Sequence, residues 1–225
     1  MAFNSPIRKC KVHIDSTIID EVNDFKFLGV IIDNKLTWKM HITYICTKIS
    51  QVIGVLAKIR YKISQAAAML IYESLIAVHF CYCNIVWGAA CTSFLEPLYI
   101  LQKRALKIVL HLPRLTHSDD IFLKANKLSL HELFERNSLS FVYSIINHIS
   151  TPVFDDFFVL TENVHSYATR SQGGLHTEFA SKLVRKQSIK IRAPQLWASI
   201  PLSIRNSPSL SVFKKRLKIY YQSKR

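Results

Sequence analysis

Apolar and polar residues alternate from Cys10 to Ile14, Ser16 and Thr17 permit a turn, and a β-rich run from Lys26 to Ile32 stops at Asp33-Asn34. A small hairpin-rich sheet is expected at the start. From Thr37 the period changes. Ile42, Ile45, Ile49, Val52, Ile53, Leu56 and Ile59 recur every three or four residues, while Lys48, Gln51, Lys58 and Lys62 take the other faces. This spacing predicts a long amphipathic helix.

Ser64 can cap a second helix running to about Gly88. It is nearly all apolar, and the lack of a polar face predicts a core helix surrounded on all sides, with Leu75 buried. Ser93-Phe94-Leu95-Glu96 has capping-box spacing before a helix whose buried stripe is Leu95, Leu98, Leu101, Ala105, Ile108 and Leu112. Pro113 stops it. A short helix over residues 118 to 127 follows, and Ser129-Leu130-His131-Glu132 opens another reaching about Ile149. Periodicity then fades from Val153 to Gln187, a loop with a short strand and a flexible point at Gly173-Gly174. A last helix, capped near Ser209, sets Leu210, Phe213, Leu217 and Tyr220 on one side and Lys214, Lys215 and Lys218 on another.

The expected fold is mainly α (α+β). A short hairpin region at residues 1–36 precedes a helical bundle at 37–150 and a basic carboxy-terminal segment at 151–225.

Charge narrows the function. The 225 residues hold 30 Lys and Arg against 15 Asp and Glu, a formal charge of +15. The excess is uneven: residues 161–225 carry 13 basic and 2 acidic groups, whereas residues 113–160 carry 4 and 6. A tail so one-sided points to a polyanion, a nucleic acid or an anionic membrane. The five cysteines lack a disulfide framework spacing and no apolar signal core opens the chain, which suggests an intracellular site, nuclear or cytoplasmic.

Several tempting sites have plainer explanations. Asp119-Asp120 follows Ser118, where acids favour a helix amino terminus, and Asp155-Asp156 reads as surface. His79, Cys81, Cys83 and Cys91 do not match a closed zinc site, so the cysteines are expected to be buried small hydrophobes and no metal is assigned. Lys103, Lys107 and His111 line up at i, i+4 and i+8 with Arg104 beside them, and no Glu accompanies the stripe. Phosphate contact is therefore preferred there to a merely solvated face.

Phe25-Lys26-Phe27-Leu28-Gly29-Val30-Ile31-Ile32-Asp33, followed by Leu36, Trp38 and His41-Ile42, resembles the end of the palm in reverse transcriptases of the jockey and CR1 type. Further blocks resemble that family in the same order: Tyr82 to Gly88, Leu95 to Ala105, His165 to Arg170, and Leu196-Trp197 through Pro201 with Phe213-Lys214. Three positions depart from its pattern, Ala193 where a Gly is usual and Ala168 and Ala198 where an Asn is usual. The family joins nucleotides with metal ions held by paired palm carboxylates, and no Tyr-x-Asp-Asp turn occurs in this sequence, so the chain is expected to start just after it.

The resemblance implies a template-primer gripping fragment of a retrotransposon RNA-directed DNA polymerase, not an enzyme alone, with the helical bundle at 37–150 as its thumb-like part. Phe27, Leu28 and Gly29 would belong to a primer-grip strand. Lys103, Arg104, Lys107, Arg170, Lys214, Lys215 and Lys218 would contact the nucleic acid, with Tyr220 and Tyr221 available to stack on bases and Lys224 and Arg225 adding charge. Partners would be RNA and DNA and an upstream palm domain, with no small-molecule substrate. No cofactor is expected here, Mg2+ belonging to the complete polymerase. Two alternatives also fit the sequence: a membrane-associated protein using the uncharged residues 74–95 as a span, and a domesticated helical interaction module.

Overall fold

The computed structural model describes residues 22–161 and 174–225, and before them the backbone of two short strands. These strands, β1 (Val12–Ile14) and β2 (Thr17–Ile19), pair antiparallel. A second hairpin pairs β3 (Asp24–Phe27) with β4 (Val30–Asp33), Phe27 facing Val30. Its two-residue turn is Leu28-Gly29, at φ 45° and 84°. Positive φ at both positions is the type I′ geometry, whose twist matches the flanking strands and which glycine adopts without strain. Phe27-Leu28-Gly29 is therefore the end of a strand and its turn, not the continuous strand expected.

Asp33 joins this hairpin to the bundle. Its carboxylate accepts from the backbone N–H groups of Lys35, Thr37 and Trp38 at 3.1, 3.0 and 2.7 Å. Partial burial opposes ionisation, but these donors outweigh it and hold the carboxyl below its usual 3.8. Helix α1 (Lys39–Ile59) follows and buries Ile42, Ile45, Ile49, Ile53 and Leu56, the stripe legible in the sequence. Helix α5 (Thr92–Val109) runs beside it in the same direction. Lys39 lies 5.8 Å from the Phe94 ring at one end of the pair, and the Tyr61 and His111 rings are 5.7 Å apart at the other.

The intervening residues are not one helix. Ser64 caps α2 (Gln65–Ile71) by accepting from Ala67 N–H, a π-helical turn follows at Tyr72–Ala77, and α3 (Val78–Cys81) ends there. Cys83, at φ 50°, then redirects the chain into α4 (Asn84–Trp87). Ala68, Tyr72, Ile76 and Phe80, four residues apart, are buried, while Leu70, Leu75, Val78, Tyr82 and Val86 face outward. The run is apolar all round but covered on one side only, so Leu75 is exposed rather than buried. A span over residues 74–95 is likewise interrupted. Among the described residues α1 is long and apolar enough to cross a membrane, by length and composition alone, yet its isoleucine face belongs to the core.

The capping box expected at Ser93 does not form. Helix α5 begins two residues earlier, with Cys91 as N-cap and no side-chain cap. The box at Ser129 does form and opens α7 (Leu130–Ile146), after α6 (Ser118–Ala125). Past Val153 an antiparallel bridge links Leu160 and Leu175. Among the described residues four more helices follow: α8 (Leu183–Lys186), α9 (Ile189–Ser199), which the sequence pattern did not reveal, α10 (Leu202–Arg205) and α11 (Leu210–Ser223). Helices α9 and α11 pack on α7. The Tyr143 ring stacks on Phe213 at 4.5 Å, Trp197 lies 5.9 Å from Phe213, and the Tyr143 hydroxyl donates to the Ser207 carbonyl at 2.5 Å. Phe213 is fully enclosed, a burial worth about 2–3 kcal/mol.

Candidate nucleic-acid interface

The hairpin tip stands in solvent. Phe25 and Phe27, two residues apart and hence on one side of β3, are both more than half exposed, and Leu28 is 73% exposed. The tip is anchored from behind, because the Tyr82 hydroxyl donates to the Leu28 carbonyl at 2.6 Å. Tyr82, Gly29, His41, His79, Tyr44 and Lys26 line a groove of about 340 Å³. The ammonium groups of Lys26 and Lys48 lie 5.1 and 5.7 Å from the Tyr44 ring, so this edge is cationic and aromatic. His41 is buried, its Nδ1 accepting from Ile31 N–H at 3.3 Å, and burial together with nearby His79 pushes its pKa down.

The stripe on α5 is joined to the far end of the chain by aromatic rings. Lys103 rests 4.2 Å from the Tyr99 ring, Tyr99 stacks on Phe122 at 5.9 Å, and the Arg225 guanidinium is 5.0 Å from Phe122. Arg225 is bound to Glu132, with its Nε 3.2 Å from Oε1, and its side chain is almost wholly buried. It holds α11 to α7 and is not a free phosphate contact. Arg104 is exposed, and Lys107 bends to donate to the Arg114 carbonyl at 2.5 Å.

On α11, Lys214 and Lys215 are exposed while Phe213 and Leu217 are buried, the division the sequence predicts. Lys218 is half-buried. Burial, then the neighbouring Lys127 and Arg136, lower its pKa. Tyr221 is buried, its hydroxyl pushed far up by desolvation, so it is not available for stacking. Tyr220 is partly exposed, with Lys224 4.3 Å from its ring and its hydroxyl donating to the Ser199 carbonyl at 3.2 Å. Arg170, with the block from His165, lies outside the described residues.

Sequence reasoning missed Gln102. It is fully buried, its amide donating to the Leu128 carbonyl at 3.0 Å and accepting from Leu130 N–H at 2.8 Å. The signal was its position between Leu98 and Ala105 on the buried face of α5. The cysteine expectation was wrong for Cys81, Cys83 and Cys91, all exposed, because the break at Cys83 turns this stretch outward. Cys91 hydrogen-bonds with Ser93 Oγ at 3.3 Å, which lowers its thiol pKa. No cluster of three or more His, Cys, Asp or Glu suited to a metal occurs among the described residues. Asp119 and Asp120 lie in the first turn of α6, as expected for acids at a helix amino terminus.

Comparison with known proteins gives the chain its relatives. It is 30% identical over 126 residues to the RNA-directed DNA polymerase from mobile element jockey of Drosophila funebris, and 32% identical over 114 residues to that of Drosophila melanogaster. It is 28% identical over 101 residues to a probable RNA-directed DNA polymerase from transposon X-element of Drosophila melanogaster. These matches cover 54, 49 and 44% of this chain but only 14, 12 and 11% of those proteins. No family model matches, and neither does any solved structure. The family resemblance carried by the ordered sequence blocks is thereby borne out: the chain is similar to a portion of a retrotransposon RNA-directed DNA polymerase.

Proposed function

We propose that this chain grips a template-primer duplex of RNA and DNA as one portion of a retrotransposon RNA-directed DNA polymerase. The similarity to three such polymerases over about half the chain carries the proposal. The surface supports it. The turn at Phe27, Leu28 and Gly29 is exposed yet anchored, suiting it to steady a primer end, while Lys103, Arg104, Lys107, Lys214 and Lys215 lie on helices without forming an ion pair among the described residues. Unpaired cations on rigid helices displace condensed counterions from a phosphate backbone.

On this reading the chain adds no nucleotides itself, since no Tyr-x-Asp-Asp turn occurs in the sequence to hold catalytic Mg2+. A polymerase palm domain would be its protein partner, and its place of action intracellular. Fluorescence anisotropy with an RNA–DNA hybrid, run beside a primer-extension assay, tests this. Tight, sequence-tolerant, salt-sensitive binding without extension is expected. Absence of binding at low salt would sink the gripping role, and template-dependent incorporation by a clean preparation would sink the non-catalytic one.

A further inference from the structure

The parallel arrangement of α1 and α5 brings their carboxy-terminal ends together, as the 5.7 Å contact between the Tyr61 and His111 rings records. Lys58, Arg60 and Lys62 come from the end of α1, and Lys107 and Arg114 from the end of α5 and the loop after it. No acid occurs in the sequence from residue 34 to 72 or from 97 to 118. None of these five cations forms an ion pair among the described residues.

Basic residues at helix carboxy termini often do no more than offset the helix dipole. Magnitude decides against that here, because two such termini amount to roughly one negative charge. Five permanent cations exceed it several-fold. The same pole leaves apolar groups in water: Tyr61 is 76% exposed and Leu115 95% exposed. The guanidinium of Arg60, 4.4 Å from the Tyr61 ring, holds that ring beside the charges.

We infer that this pole is a second duplex-contacting surface, where Lys58, Lys62 and Arg114 hold phosphates and Tyr61 and Leu115 pack on sugar edges. The inference rests on the duplex-binding function proposed above and extends it to residues on α1. From Tyr99 to His111 the α5 stripe measures about 18 Å, the rise of roughly five base pairs, so stripe and pole can follow one backbone continuously. Cations at intervals along a rigid edge suit a polymer of phosphates better than a single small anion.

The test compares the wild-type chain with a Lys58→Ala, Lys62→Ala, Arg114→Ala variant on an RNA–DNA hybrid across a salt series. All three side chains are exposed, so the fold should persist, as circular dichroism would report. The slope of log affinity against log salt should shrink by roughly 2–3. Lysine acetylation of the wild-type protein, with and without hybrid, reads the same surface without mutation and should show Lys58 and Lys62 protected. An unchanged slope, or full acetylation of both lysines in the bound state, overturns this inference while leaving duplex binding intact. A wild-type chain that ignores the hybrid overturns both, and preferential binding to phosphatidylserine vesicles would reassign the pole to a lipid surface.

Discussion

The Tyr82 hydroxyl donates a hydrogen bond to the Leu28 carbonyl across 54 residues of sequence, so one phenol fixes the hairpin tip to the end of α3. Replacing Tyr82 by Phe keeps the ring beside Gly29 and removes only this bond. A partly exposed hydrogen bond is worth about 0.5–1.5 kcal/mol, so the global melt should change little. Hydrogen exchange at the amides of Gly29 and Val30 should accelerate several-fold. Unchanged exchange would mean that the turn holds its shape without the tyrosine.

Adjacent positions 75 and 76 give opposite outcomes. Leu75 is half-exposed and Ile76 is fully buried. Leu75→Asp should cost under ~1 kcal/mol, whereas Ile76→Asp places an unpaired charge in the core at a cost of several kcal/mol, a large share of a typical ~5–15 kcal/mol stability. Urea denaturation of both variants checks this. Equal loss in the two would contradict the one-sided burial of residues 64–88.

What the sequence showed and hid follows from the range of each interaction. The α1 stripe and the caps at Ser64, Ser129 and Ser209 were legible because period and capping act within a few residues. The break at Cys83 was not, since nothing local in an unbroken apolar run forces a left-handed residue. Phe25 and Phe27 look like core strand residues by pattern, and only their exposure in the folded chain shows them to be surface. The link from Lys103 through Tyr99 and Phe122 to Arg225 spans more than a hundred residues, beyond any periodicity. Of the predicted contacts, Lys214 and Lys215 stand free while Lys218 and Tyr221 are drawn toward the core by the packing of α11 on α7.

Salt dependence should separate those lysines. Lys214→Ala with Lys215→Ala removes two exposed cations, so the slope of log affinity against log salt on a duplex should fall by about 1.8. Adding Lys218→Ala should change it by much less than one further unit, because that side chain is half-buried. Lys124→Ala with Lys182→Ala, exposed elsewhere, serves as the charge-matched control. A control slope equal to that of the double variant would reduce the effect to net charge.

Asp33 gives the hairpin junction a pH dependence. Its folded carboxyl is held below the ordinary 3.8, so its contribution to stability is fully present above that value and is lost as pH falls through the lower folded one. Asp33→Ala should cost about 1–3 kcal/mol at neutral pH, the usual worth of hydrogen bonds made to a charged group. The wild-type and variant melting temperatures should converge as pH falls below 3.8 and through the lowered folded value. A constant gap down to pH 2 would show that the Asp33 carboxylate is not what titrates.

The side-by-side, same-direction course of α1 and α5 constrains how the molecule assembles. Neighbouring helices joined by a short loop zip together antiparallel, but these two meet only after the chain between Ile59 and Thr92 has carried back the length of a helix. Closing that stretch adds little to the equilibrium cost, about 0.6 kcal/mol for each doubling of loop length, yet it must be met before any contact between the pair forms. Their docking is therefore a nonlocal event of the kind that slows folding. An α1 segment released early from a ribosome would keep its isoleucine face uncovered until α5 had emerged, a window in which a chaperone or an aggregating neighbour competes for it.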